Sequence, residues 1–156
     1  MTFEEIHKAY WSKVYRQCIG YMNDPDAAND IAQEIFIKIW QQLPKFRNES
    51  TISTWIFRIA VNTCLRQIEI DKRMPKSELP AEIMQEDIIN TEPEVQFLYQ
   101  CISELPELDR IIISLELEEL KQKEIAKIVG ISESNVRVRI HRIKEKLTLK
   151  FQQNAR

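Results

Sequence analysis

Between Ser132 and Arg156 the chain concentrates groups that can bind nucleic acid. Ser134, Asn135, Arg137, Arg139, His141, Arg142 and Lys144 fall away from the helical stripe Val136, Ile140, Ile143 and Leu147. Arginine can donate two parallel hydrogen bonds to guanine, asparagine can pair in the same way with adenine, and the outer cations can bind phosphates. Just upstream, Glu124-Ile125-Ala126-Lys127-Ile128-Val129-Gly130-Ile131-Ser132 has helix-turn-helix spacing. Ala126 is small where two helices must approach, Gly130 can take the positive φ of the turn, Ser132 can cap the next helix, and Val136 can anchor it. A charge run alone would describe any solvated helix; turn chemistry, spacing and basic excess together point to a DNA-reading helix.

Two further constellations lie in the first half. Phe46, Trp55 and Phe57 alternate with Arg47, Arg58 and Arg66, which could give unpaired bases a stacking platform and their phosphates a counter-charge. Trp55 taken by itself is more often a core residue. Opposite the stripe Ile31, Ile35 and Ile39 stand Asp30, Gln33, Glu34, Lys38 and Gln41, a polar face with which a partner helix could hydrogen-bond, or one that water simply covers. No enzymatic site assembles. His7 and His141 are far apart, no HExxH, CxxC, GxxxxGK[ST] or GxSxG spacing occurs, and the carboxylates fall on helix surfaces. Neither catalysis nor a metal or other cofactor is expected.

Helices must position these groups. Of 156 residues, 44% are apolar and only two are glycine, so the chain can build a core but has few positions for tight turns, and the fold class expected is all-α. Phe3, Ile6, Tyr10, Val14 and Cys18 mark a first helix, and a second follows the turn Asn23-Asp24-Pro25 and runs to Leu43. A polar, hydroxyl-rich loop from Lys45 to Thr54 precedes a third from Trp55 to Ile70, with Ile56, Ile59, Ala60 and Cys64 inward. Four more are expected: from about Val95 to Glu104, after Leu105-Pro106 to about Leu117, from Lys121 to Val129, and from about Glu133 to Phe151.

The net charge of −2 conceals an uneven distribution. Residues 1–73 are nearly balanced, whereas residues 76–94 hold Lys76 against Glu78, Glu82, Glu86, Asp87, Glu92 and Glu94. With Pro75, Pro80 and Pro93 in it, residues 74–94 are expected to be a flexible acidic linker between domains at 1–73 and 95–156. From Ser134 onward Glu145 is the only acid among seven cations. Cys18, Cys64 and Cys101 have apolar neighbours and suit buried free thiols in a reducing cytosol. The N-terminal stretch lacks the pattern of a signal peptide, and no stretch reaches the ~18 apolar residues of a membrane span. A cytoplasmic protein without membrane insertion is expected.

The C-terminal part resembles region 4, the promoter-binding region of bacterial extracytoplasmic-function (ECF) sigma factors. The matching residues are Leu105-Pro106, Leu115, Leu120, Glu124-Ile125-Ala126, Gly130-Ile131-Ser132, Val136-Arg137, Arg139 and Arg142. In the first half, the run from Asp26 through Gln33-Glu34 to Trp40 is similar to the family's region 2 helix that docks on polymerase. Phe46-Arg47 with the run from Thr54-Trp55 to Asn62 is similar to its DNA-opening segment. The two matches stand in the family's order and cover nearly the whole chain. Nothing resembles the additional promoter-contacting domains of housekeeping sigma factors.

The resemblance implies two small helical domains. The region 2 bundle would bind the clamp helices of core RNA polymerase through Asp30, Gln33, Glu34, Lys38 and Gln41. Its −10 surface would comprise Phe46, Arg47, Asn48, Glu49, Ser50 and Thr51, with Trp55, Arg58, Asn62 and Arg66, and would receive a base flipped from the non-template strand. Region 4 would touch the polymerase flap and read the −35 element with Ser134, Asn135, Arg137, Arg139, His141, Arg142 and Lys144. The family often has glycine where Asn48 and Glu119 stand here. The free protein would be a monomer held by an anti-sigma factor, and the acidic linker would cross polymerase, its sign keeping it off DNA. The competing expectation is an ordinary operator-binding regulator in which residues 1–73 dimerise or sense a ligand.

Overall fold

The computed structural model describes residues 1–73 and 92–155. These form seven α-helices and one 3-10 turn, with no strand among the described residues. Helix α1 (Phe3–Met22) opens with a reciprocal cap in which the Thr2 hydroxyl accepts from the Glu5 N–H and the Glu5 carboxylate accepts from the Thr2 N–H. It ends at Asn23, whose φ of 51° is the left-handed conformation asparagine tolerates. Helix α2 (Pro25–Gln42) has Asp24 as its cap and Pro25 in the first turn, where a missing N–H costs nothing.

Helix α3 (Ile52–Arg73) starts three residues before Trp55, the start expected from sequence. The cause is Thr51, whose hydroxyl accepts from the Thr54 N–H at 3.1 Å; hydroxyl residues that read as loop are here a helix cap and first turn. Helices α1, α2 and α3 pack on one another around Ile6, Val14, Cys18, Ile31, Ile35, Ile39, Ile56, Ala60 and Cys64.

The second group comprises α4 (Pro93–Ser103), α5 (Glu107–Leu117), α6 (Gln122–Val129) and α7 (Glu133–Asn154). Pro93 and Glu94, expected in the linker, form the first turn of α4 instead, because proline fits the first helical position. The remaining linker expectations, including Glu78, Glu82, Glu86 and Asp87, fall on residues 74–91 and lie outside the described residues. All three cysteines are buried and free, and the Sγ atoms of Cys18 and Cys64 lie 3.9 Å apart.

The two helix groups touch. Helix α1 packs on α4 and α5, and α3 packs on α6, so that Ile111, Leu115, Ile125 and Val136 continue the apolar core of the first group. Gly20, inside α1, lies so close to α5 that a Cβ there would stand 2.2 Å from the Ser114 Oγ and 3.1 Å from its Cβ. The Arg16 guanidinium donates in two-pronged fashion to the Glu118 carboxylate, at 2.6 Å from Nη2 to Oε1 and 3.0 Å from Nε to Oε2. The Glu118 carboxylate is only 5% exposed, and its hydrogen bonds hold the Arg16 pKa above its ordinary value.

Arg110 donates to the Tyr21 carbonyl at 3.1 Å and lies over that ring. The seam is imperfectly satisfied, however. Gln17 Nε2, Tyr21 Oη, Arg110 Nε and Ser114 Oγ are buried without a partner among the described residues, and each such group costs about 1–3 kcal/mol.

Candidate nucleic-acid interfaces

The α6–turn–α7 unit forms as its residues predict. Gly130 takes φ 79° and its N–H returns to the Ala126 carbonyl at 2.9 Å; the Ser132 hydroxyl accepts from the Asn135 N–H at 3.1 Å. Ala126 and Val136 are buried between the two helices, with Ile140 and Ile143 continuing inward. Ser134, Asn135, Arg137, His141, Arg142 and Lys144 consequently point to solvent.

Arg139 differs from the outward-facing position expected. It is half-buried, its Nη1 pairs with Asp109 Oδ1 at 3.0 Å, and its Nε donates to Asn135 Oδ1 at 3.1 Å. Lying between Val136 and Ile140, it sits at the edge of the buried stripe and runs along α5. Lys144 likewise pairs with Glu116 at 3.1 Å. Partly exposed pairs of this kind contribute about 0–1 kcal/mol each, too little to withhold either cation from a phosphate. Arg137 and His141 have only exposed helical neighbours, Glu133 and Glu145, at 3.9 and 3.5 Å.

The loop after α2 and the start of α3 enclose a cavity of about 370 Å³ lined by Lys45, Phe46, Arg47, Glu49, Ser50, Trp55, Arg58 and Lys127. Phe46 lies on Trp55 with ring centroids 4.9 Å apart, an apolar floor edged by cations, which is what an unstacked base and its phosphate need. Asn48 turns the loop with φ 58°, a conformation open to asparagine as to glycine. Thr51 has turned to capping α3. Asn62 and Arg66 are exposed farther along α3 and do not line the cavity; their helical spacing from Arg58 extends the same face.

Phe57 corrects the expectation that three aromatic rings share this surface: it is fully buried and meets Tyr10 at 6.3 Å. Being two residues from Trp55 on a helix, it must face elsewhere. Lys45 and Lys127 were not anticipated. Lys45 is simply the residue before Phe46, but Lys127 arrives from α6, and no local pattern in the sequence announces that approach.

On α2, Asp30, Gln33, Glu34 and Gln41 are exposed. Lys38 is tied down instead, donating to Thr63 Oγ1 at 3.3 Å and pairing with Glu34 at 3.5 Å. Ile37 and Trp40, not anticipated, are 57% and 62% exposed. With Phe3, His7, Trp11, Gln33 and Phe36 they line an open groove of about 640 Å³, in which His7 stacks on Trp11 at 5.2 Å. The available signal was their place off the buried stripe Ile31, Ile35 and Ile39, since apolar residues beyond the stripe a bundle needs must face outward.

No group of His, Cys, Asp and Glu among the described residues could hold a metal ion, and no helix among them is long and apolar enough to cross a membrane. The surfaces present cations, aromatic rings and hydrogen-bonding side chains.

Comparison with known proteins gives these surfaces a family. Residues 6–73 match the family model described as Sigma-70 region 2, and residues 98–147 match that described as Sigma-70, region 4. The chain is 34% identical to the ECF RNA polymerase sigma-E factor of Escherichia coli, over 97% of this chain and 87% of that protein. It is 31% identical to the ECF RNA polymerase sigma factor SigW of Bacillus subtilis, over 94% and 87%. Its fold matches the sigma factor RpoE of Bartonella quintana, solved with the anti-sigma factor NepR, at a TM-score of 0.76 and 19% identity over 96% of each chain. It also matches CnrH, solved with the cytosolic domain of CnrY, at 0.70 and 17% over 97% and 88%. Two region matches in order on one helical chain, with relatives aligned over nearly its whole length, place this protein in the sigma-70 family as an ECF RNA polymerase sigma factor.

Proposed function

We propose that this chain acts in the cytoplasm, binds core RNA polymerase, brings it to promoters and begins their opening. Residues 1–73 act as region 2, those before α4 as the linker, and residues 93–156, from the start of α4, as region 4. Asp30, Gln33, Glu34 and Gln41 hydrogen-bond to the clamp helices, Lys38 holds Glu34 in place, and Ile37 and Trp40 add the apolar contact that their exposure invites. Region 4 rests on the polymerase flap and lays α7 in the major groove of the −35 element. Arg137, Arg142 and Asn135 read base edges there, while Arg139, His141 and Lys144 serve phosphates.

The Phe46–Trp55 floor accepts a base extruded from the −10 element. Extrusion costs a few kcal/mol, offset by stacking, by phosphate pairing with Arg47 and Arg58, and by the polymerase contacts. The free protein is a monomer, and an anti-sigma factor covering these surfaces is its expected regulator.

The observation that carries this reading is the presence on one chain, in order, of the region 2 and region 4 matches, each bearing an exposed surface of the required chemistry. In vitro transcription tests it: purified bacterial core polymerase, with and without the protein, on a pool of genomic promoter fragments, with start sites mapped. New starts that share two short upstream elements are expected. Duplex binding without any redirection of polymerase would instead establish an operator-binding regulator.

A further inference from the structure

Helices α2 and α3 carry different tasks in the proposed function: α2 presents the polymerase face, and α3 presents Trp55, Arg58, Asn62 and Arg66 to the −10 strand. They pack on one another through the core that holds Ile35, Ile39, Ile56 and Ala60. Apolar burial is strong but non-directional, so the finer setting of one helix against the other falls to the polar link between them.

Among the described residues that link is one hydrogen bond, donated by Lys38 Nζ to Thr63 Oγ1 at 3.3 Å. It is the middle of a chain. Lys38 Nζ lies 3.5 Å from Glu34 Oε1, and the Thr63 hydroxyl gives its own proton to the Ile59 carbonyl at 2.7 Å. The order of donors is therefore fixed, ammonium to hydroxyl and hydroxyl to carbonyl, each bond polarising the next. One end of the chain, Glu34, is an exposed residue of the polymerase face. At the other end Ile59 follows Arg58 and Thr63 follows Asn62, so the chain holds the very turns of α3 that present those two residues.

A helical threonine ordinarily bonds only back to the carbonyl four residues before it, and lysine ordinarily extends its ammonium into water. Here Thr63 is 3% exposed and still accepts from a second helix, while the Lys38 side chain is turned inward to 25% exposure. Ordering so flexible a side chain costs rotamer entropy, which its two partners offset.

We propose that Thr63 is a positioning residue for promoter opening: through Lys38 it registers α3 on the polymerase-docked α2, so that Arg58 and Asn62 meet the −10 strand in a set orientation. A polymerase donor drawn to Glu34 frees Lys38 from the ion pair and leaves its ammonium to Thr63, tying α3 more firmly once the clamp is engaged. Thr63 itself touches neither polymerase nor DNA. This rests on the assignment of α2 to polymerase and of α3 to the −10 element.

Thr63→Val tests it, keeping the branched shape and removing only the hydroxyl; the Glu34–Lys38 pair stays, and Lys38 can turn to water. Holoenzymes assembled from purified core polymerase and either the substituted or the unsubstituted chain are compared on a promoter identified from the fragment pool. Affinity for core is expected to be unchanged. Transcription from the duplex promoter should fall about three- to tenfold, the range that one hydrogen bond supports, and a template premelted across −10 should remove most of that deficit. Thr63→Ser, which retains the hydroxyl, should transcribe near the unsubstituted level.

Full duplex transcription by Thr63→Val would overturn the proposal. So would weakened core binding, a deficit equal on both templates, or one that serine does not correct, because each marks lost packing rather than lost positioning. Failure of the unsubstituted protein to support transcription would overturn the sigma-factor reading instead.

Discussion

The two DNA-facing surfaces are built in opposite ways. The α7 surface comes from one run of sequence in which Gly130 sets the turn, Ser132 caps the helix and Val136 orients it. The Phe46–Trp55 cavity comes from a loop, the first turns of α3 and a lysine on α6, which lies more than 70 residues beyond Trp55. A locally encoded surface exists whenever its helix forms; one assembled over distance depends on how the helices pack on one another.

The difference can be sharpened experimentally. The largest effect is expected from Trp55→Ala, which removes both the floor of the cavity and a ring packed against the core. Full truncation of a buried Trp costs about 3–5 kcal/mol, and this half-buried ring should lie near the lower end. Permanganate footprinting of the opened strand should show melting lost while α7 still protects the −35 duplex; loss of both would mean that the surfaces are not separable.

Arg137→Ala and Arg142→Ala should each cost about 1–3 kcal/mol in promoter discrimination if the side chain meets a base edge, or reduce the salt slope of binding by about one at a phosphate. Opening on a premelted template should be unchanged. If promoter selection survives both substitutions, α7 does not read the −35 element.

Glu119→Gly probes a turn rather than a surface. Glu119 holds φ 67° between α5 and α6, where a side chain costs about 1–2 kcal/mol relative to glycine. The substitution should raise Tm by about 2–4 °C for each kcal/mol recovered, as measured by calorimetry; an unchanged or lower Tm would show that the Glu119 side chain repays its strain.

The smallest effect concerns pH. Burial pushes the Tyr21 hydroxyl up to about 12, from 10. Its folded pKa is above the unfolded one, so the neutral ring stabilises the fold fully below pH 10, and that contribution disappears as pH rises towards 12. Denaturant midpoints should fall across this interval, less steeply in Tyr21→Phe.

The same contrast explains how much could be read from the chain. All seven helices follow from apolar periodicity and cap residues, and six of the seven proposed α7 contacts are where periodicity puts them; Arg139 differs because it borders the stripe and found Asp109 within reach. The floor residues Phe46 and Trp55 were legible as types, but their 4.9 Å packing was not. Phe57 was misjudged because alternation along a loop suggested a shared face that a helix does not provide. Lys127 and the Gly20–Ser114 contact were invisible for one reason: each depends on helices far apart in sequence coming together, and neither residue is unusual in its own surroundings.

The cysteines carry a practical consequence. Cys18, Cys64 and Cys101 are each at most 3% exposed; the contact with the Cys64 thiol, then burial, push the Cys18 thiol up, and burial pushes up that of Cys101, so little reactive thiolate forms at these two near neutral pH. Towards maleimides and other labelling reagents the folded protein should behave as though it had no cysteine. Dyes or spin labels can then be attached at introduced surface thiols on either half without first removing the native ones, and distances across the seam can be followed in an otherwise unaltered chain.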